Sequence, residues 1–309
     1  MNNDNPSILQ MIRAPFLSSI IAPLVAGSLL SAAITGALNI PAFLLVLVTG
    51  IGLHVATNVY NDIYDTIQGT DKVNVHRNEY SGGSGVLLDR PDLMKTMYRL
   101  ARSGLLIALV GTGALLIFVD RSLWIYLVGL YGLSAFFSKF YTAAPVKLAY
   151  RGLGEFSVWF AFGPMAVAIA AVSQNAFPDW RIILLMPATG FSTSTILLVG
   201  QLIDLDADIK GGKHGVASRM GTRFTSGLYV AMQILLIIDV ATMALVFPGR
   251  SWLILISLVP YILFFPGTAM SILKNHGDPD SLKAVAKSTV LIHLLFSVLL
   301  IAGFGIYLI

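Results

Sequence analysis

The chain has no cysteine among its 309 residues. That excludes disulfides, thiolate metal sites and a cysteine nucleophile. Charge is scarce too: 12% of residues are Asp, Glu, Lys or Arg, whereas a soluble domain carries about 25%. A soluble globular enzyme is thereby excluded. The stretch Met1–Gln10 lacks the basic segment of a cleaved signal peptide, so the first hydrophobic run is expected to stay as a helix. The formal charge of +4 is small, and no nucleic-acid partner is expected.

What the sequence has in abundance is hydrocarbon. Hydrophobic residues make up 56% of it, and the mean hydropathy is +0.79. A spanning helix needs about 20 mostly apolar residues. That ruler gives runs at roughly 15–37, 42–64, 101–119, 123–141, 152–173, 181–203, 224–246, 251–273 and 287–308. The pattern predicts an all-α polytopic membrane protein in which nine transmembrane helices surround a central cavity in a lipid bilayer. We read 1–309 as a single domain, with polar loops over 58–100 and 201–223. Of the 20 lysines and arginines, only Arg121, Arg181 and Arg250 fall on the side opposite the N-terminus. The basic side is therefore expected to be cytoplasmic, with the C-terminus outside, in the cell (inner) membrane.

Two acidic clusters sit on that basic side. In Asn58-Val-Tyr-Asn-Asp-Ile-Tyr-Asp65, the residues Asn58, Asn61, Asp62 and Asp65 share one helical face. In the second cluster, Asp204 and Asp208 share a face with Gln201, while Asp206 points elsewhere. Crowded carboxylates at a bilayer edge need positive charge among them. A hard cation such as Mg2+ prefers oxygen ligands and shares them with substrate phosphates. The clusters close the second and the sixth helix, which suggests tandem four-helix repeats plus a ninth helix. Lysines and arginines flank both clusters, and apolar helices surround them. A diphosphate carrying a hydrocarbon chain, such as an allylic polyprenyl diphosphate, satisfies both surroundings.

Several stretches resemble a known family. Asn58-x-x-Asn61-Asp62-x-x-Asp65-x-x-x-Gly69-x-Asp71 resembles the first aspartate motif of the UbiA-type intramembrane prenyltransferases. Asp204-x-Asp206-x-Asp208-x-x-x-Gly212-Lys213, followed by Ser218-Arg219-Met220-Gly221, resembles the second. The stretch from Tyr141 through Pro145, Lys147, Tyr150 and Arg151 to Glu155 resembles the branch that prenylates 1,4-dihydroxy-2-naphthoate, as does Ser81–Val86. The broader superfamily often carries an aspartate four residues after Asp65; here Gly69 stands there and Asp71 follows. Gln201, Ile203 and His214 stand where that branch often has Asn, Arg, and Arg or Asn.

The resemblance implies a Mg2+-dependent prenyltransferase acting on a small aromatic acceptor, with demethylmenaquinone and carbon dioxide as products if the acceptor is the naphthoate. It makes Asp62, Asp65, Asp204, Asp208 and Tyr141 the catalytic candidates. Asn58, Asn61, Asp62, Asp65, Asp204 and Asp208 become the metal ligands, with Asp71, Gln201 and Asp206 as additional candidates. Lys72, Arg77, Lys147, Arg151 and Lys213 are the candidates for holding the diphosphate, and Tyr141 for facing the reacting carbon. His54, one turn before Asn58, is expected to be a hydrogen-bonded structural histidine. His293 is expected to pack against a polar partner, and Glu155 to serve a helix start. A cation-coupled transporter is the rival class, and 4-hydroxybenzoate, homogentisate, a chlorophyll precursor or a glycerol phosphate lipid are rival acceptors.

Overall fold

Nine long helices and the loops between them account for nearly all of the described residues, 6–308 of the computed structural model. We label them α1 (Ser18–Thr35), α2 (Ile40–Gln68), α3 (Met94–Leu115), α4 (Trp124–Phe140) and α5 (Gly154–Ser173). After these come α6 (Trp180–Ile203), α7 (Thr222–Val246), α8 (Val259–Asn275) and α9 (Pro279–Leu308). Among the described residues there is no β-strand. The reading of Met1–Gln10 falls partly outside the described residues, at its first five.

Eight of the described helices are long and apolar enough to cross a membrane, and α3 is not among them. Its first half carries Lys95, Arg99 and Arg102, which lower its hydropathy although it is 22 residues long. It packs along α2 more extensively than any other helix pair in the fold. The outer surface is apolar: Leu44, Val48, Leu106, Val110, Ile117, Ile125, Leu245 and Ile262 are all exposed. This is the surface of an integral membrane protein, whose backbone polar groups the helices satisfy internally.

Helices α1 and α5 form a shared spine. Ile20, Leu24, Met165 and Ile169 pack with α2, α3 and α4, while Ala26, Leu30, Val167 and Ala171 pack with α6 to α9. Close approach is built in where α5 crosses α6. A Cβ on Gly163 would lie 2.4 Å from the Met186 carbonyl oxygen, and Pro164 cannot donate a backbone bond. The helix answers with one π turn, Ala161–Met165.

The length of α2 decides where the first acidic cluster lies. Its 29 residues extend roughly 43 Å at 1.5 Å per residue, beyond the ~30 Å hydrocarbon core. The turns bearing Asn58 to Asp65 therefore emerge at the membrane edge while staying helical. Gly69 ends the helix in the left-handed conformation, φ 87°.

Candidate active site

The ends of α2 and α6 face one another across a cavity. Its wall includes Asn58, Asn61, Asp65 and Asp71 from the first region and Gln201, Asp204, Asp208 and Lys213 from the second. Two close contacts lock the regions together. A Cβ on Gly211 would lie 2.4 Å from Thr70 Oγ1, so the glycine just before Gly212 lets the two loops touch. Thr70 Oγ1 in turn lies 2.7 Å from the Tyr150 hydroxyl.

Asp65 is the best-held acid. It accepts hydrogen bonds from Lys213 Nζ at 3.0 Å, the Tyr150 hydroxyl at 2.7 Å and Asn61 Nδ2 at 3.2 Å. Asn61 Oδ1 is left buried without a hydrogen-bond partner among the described residues. Asn58 donates to the Ile12 carbonyl at 3.1 Å, tying α2 to the segment before α1. Asp62 is buried but is not in the cavity wall. It faces the glycine loop, where Ser84 N–H donates to it at 3.2 Å. Gly83, at φ 71°, brings the backbone so close that a Cβ would sit 3.1 Å from Asp62 and 3.3 Å from Asp71.

Asp71 joins the cluster. After Gly69 the chain turns back through the short helix Asp71–Val73, which buries the Asp71 carboxyl against the cavity. The left-handed turn at Gly69 is thus what permits the shifted spacing. Burial, with Asp65 and Asp62 beside it, pushes the Asp71 carboxyl up to about 8.

The second cluster begins where α6 stops. Asp204 closes it, and a short helix, Leu205–Lys210, follows. Asp204 accepts from Asn74 Nδ2 at 2.8 Å, a partner supplied by the first loop. Asp208 is buried in the wall, and burial pushes its carboxyl up to about 7. Asp206 is exposed and lies outside the cavity. Gln201 donates to Glu155 at 2.5 Å, and Glu155 also accepts from Val216 N–H at 2.7 Å. Glu155, at the start of α5, thereby holds the second loop in place, which extends its expected structural role.

The cations separate sharply. Lys213 points into the cavity; burial opposes its charge, but Asp65 and Asp208 keep its ammonium protonated well above the usual lysine range. The structure brings none of the other four expected cations to the cavity wall. Lys72 is exposed. Arg77 lies over the glycine loop, and a Cβ on Gly85 would clash with its guanidinium. Lys147, with φ 51°, turns over the Tyr150 ring. Arg151 donates outward to the Pro145 carbonyl at 2.9 Å. Sequence reasoning missed Arg13, Asn74 and Tyr150, as well as the Ser81–Gly83 backbone, all at or against the site. Tyr150 and Ser81–Gly83 lie within the stretches quoted above; Arg13 and Asn74 had no motif to mark them.

Beneath the polar cavity lies an apolar chamber lined by Leu24, Gly50, Phe137, Met165, Ile169 and neighbours. His54, Thr57, Tyr141, Val158 and Phe162 line both spaces. Tyr141 thus sits at the junction, at the end of α4. The His54 expectation needs correction, because neither ring nitrogen has a hydrogen-bond partner among the described residues. It contacts the Phe162 ring edge-on at 5.2 Å. His293 does pack against polar partners, Ser192 Oγ at 2.9 Å and Ser19 Oγ at 3.3 Å.

The donor set fits a hard cation. Four buried or half-buried carboxyls, those of Asp65, Asp71, Asp204 and Asp208, line the cavity with Lys213, Asp62 lies behind them against the glycine loop, and Asn61 adds an unused carbonyl oxygen. Among the described residues no three acidic or histidine side chains close on one point. That arrangement suits magnesium, which takes one or two carboxylates and completes its shell with water and phosphate oxygens.

An all-helical membrane fold with facing acidic helix ends defines a class, and comparison with known proteins names it. The model of the UbiA prenyltransferase family matches residues 20–291, and the chain belongs to that family. It is a prenyltransferase, most like the 1,4-dihydroxy-2-naphthoate branch. It is 25% identical to the 2-carboxy-1,4-naphthoquinone phytyltransferase of Synechocystis sp., over 96% of this chain and 92% of that enzyme. It is 30% identical to the 1,4-dihydroxy-2-naphthoate octaprenyltransferase of Mycobacterium leprae, over 70% of each. Its fold matches a UbiA homolog from Archaeoglobus fulgidus bound to DMAPP and Mg2+, with TM-score 0.56 at 13% identity, over 94% of this chain and 98% of that one.

Proposed function

We propose that the chain transfers a polyprenyl group from an allylic diphosphate to 1,4-dihydroxy-2-naphthoate, giving demethylmenaquinol, the reduced form of demethylmenaquinone, in menaquinone biosynthesis. The observation that carries this reading is the junction itself. A cavity walled by acids and one lysine opens onto an apolar chamber, with Tyr141 between them. The relatives' names supply the acceptor.

Asn58, Asn61, Asp65 and Asp71 on one side and Asp204 and Asp208 on the other would hold Mg2+. Bound there, Mg2+ neutralises diphosphate charge and eases loss of the leaving group. Lys213 exchanges part of its bond with Asp65 for a diphosphate oxygen. The glycine loop covers the acids, and Asp62 anchors that loop through Ser84. The apolar chamber takes the hydrocarbon and excludes water from the allylic cation, and the Tyr141 ring faces that cation. The nine helices all span, α3 with its basic turns in the headgroups. The acidic loops and N-terminus face the cytoplasm and the C-terminus the outside of the cell membrane.

The test is product mass spectrometry, with one allylic diphosphate, Mg2+ and a panel of aromatic acceptors. Prenylated, decarboxylated naphthalene is expected. Transfer to 4-hydroxybenzoate alone would replace the acceptor, and failure with every aromatic acceptor would reject the reading.

A further inference from the structure

Two buried histidines lie within the bundle, and only one is satisfied. His293 has a hydroxyl on each ring nitrogen. His54 has 4% of its surface exposed and no partner on either nitrogen. A packing role does not account for it, since an unpaired buried polar group is costly and an apolar side chain would fill the space as well. A neutral imidazole offers one donor and one acceptor, which matches a hydroxyl group. His54 stands one turn deeper than Asn58 on the metal-side face of α2, at the junction of the two chambers. A carbon leaving the diphosphate for the apolar chamber must pass there.

Arg13 lines the same cavity. It stacks on Phe16 at 4.7 Å, holds an uncommon left-handed backbone at φ 54°, and forms no ion pair with the described residues. A guanidinium in this setting matches a carboxylate.

We propose that Arg13 and His54 form the acceptor subsite: Arg13 holds the acceptor carboxylate, and the His54 imidazole takes the proton of the ring hydroxyl beside it. The assignment rests on the transfer reading above. As the ring carbon bonds to the allylic carbon, the allylic C–O bond breaks and the diphosphate leaves with its electron pair. The hydroxyl oxygen becomes a ring carbonyl, and its proton passes to the imidazole. The product is a dienone with the carboxylate on the newly substituted carbon. Loss of carbon dioxide returns an electron pair to the oxygen, which takes the proton back from the imidazolium. Histidine and hydroxyl are both restored.

Steady-state kinetics of the purified full chain with 1,4-dihydroxy-2-naphthoate and one allylic diphosphate test the subsite. His54→Ala is expected to lower kcat about 100-fold, the usual scale of a lost acid–base group, with added imidazole restoring part of it. The KM for the diphosphate should stay within about twofold. Arg13→Ala is expected to raise the acceptor KM about tenfold, as for loss of one charge-assisted contact. It should make no difference for 1,4-naphthalenediol, which lacks the carboxylate. If His54→Ala does not fold, His54→Gln carries the test, since it could still hydrogen-bond the acceptor hydroxyl but cannot take the proton. A Gln variant with wild-type kcat, or an Arg13→Ala effect on the diphosphate KM alone, overturns the assignment. A wild-type chain that prenylates no aromatic acceptor overturns the underlying reading as well. Once wild-type transfer is measured, the variants judge the subsite alone.

Discussion

The two acidic helix ends line one cavity but are built differently. At the end of α2 the acids ride on an unbroken helix, and nearly every oxygen is held in advance. Lys213 and Tyr150 hold Asp65, and Ser84 holds Asp62. At the end of α6 the helix breaks at Asp204, and Asp208 lies on a separate short helix. Each end borrows its partner from the other: Lys213 crosses to Asp65, and Asn74 crosses to Asp204. The difference teaches that the site is a cross-braced pair, with a held half and an open half. Neither end is complete without the loop of its counterpart.

Removing the metal should erase the distinction. Chelation, Asp65→Ala and Asp208→Ala each strip charge stabilisation from the leaving group, and each should lower transfer by about 1,000-fold or more. Asp62→Ala should do the same by releasing the glycine loop, with one added sign: protease should cut within 69–93 faster than in the wild type. Radiolabelled prenyl transfer and limited proteolysis read both. Equal cutting in Asp62→Ala and Asp65→Ala would show that Asp62 does not anchor the loop.

The cross-brace itself comes next. Lys213→Met leaves Asp65 and Asp208 without their shared cation. Transfer should fall about 100-fold, the scale of one lost preorganised donor. The loss should appear in kcat more than in the acceptor KM if Lys213 serves the diphosphate, as proposed.

Much of this was legible beforehand, and the remainder was hidden for identifiable reasons. Spans stand out because about 20 contiguous apolar residues have few other uses, so α2, α4, α5, α6 and α7 fall within a few residues of their expected bounds. The extra turns at the start of α3 were not visible, because Lys95, Arg99 and Arg102 read as loop. The acids announce themselves by helical spacing, whereas cations do not. Topology places lysines and arginines on the same side as the site, so Lys213 was not separable from Lys72, Arg77, Lys147 and Arg151. Arg13, Asn74 and Tyr150 reach the site only through tertiary folding. Asp71 shows the limit of motif spacing: its place depends on a left-handed glycine two residues earlier.

That glycine gives a smaller effect. Gly69→Asp would restore the commoner spacing but puts a side chain where φ is 87°, at a cost of about 1 kcal/mol. Thermal unfolding in detergent should register the loss. Asp71→Ala should lower transfer about tenfold, as one of several oxygens around the metals. The double variant Gly69→Asp/Asp71→Ala should not recover it, because residue 69 ends α2 while Asp71 returns under Gly83. Recovery would mean that spacing along the chain, rather than the turn, places the carboxyl.

The smallest effect sits inside the second cluster. Asp206 has charged neighbours two residues away on either side, yet it is exposed and outside the cavity, while Asp204 and Asp208 line it. Helical geometry is the cause: positions 204 and 208 share a face, and 206 lies across the helix from them. Asp206→Ala should therefore change transfer by no more than about twofold, the range of an ordinary surface substitution. The half-maximal Mg2+ concentration should not move. Measured beside Asp208→Ala, it separates the motif as a string of acids from the site as one face of a short helix. A large loss in Asp206→Ala, with the Mg2+ requirement shifted, would mean that the open end rotates to bring this carboxyl inward when the diphosphate binds.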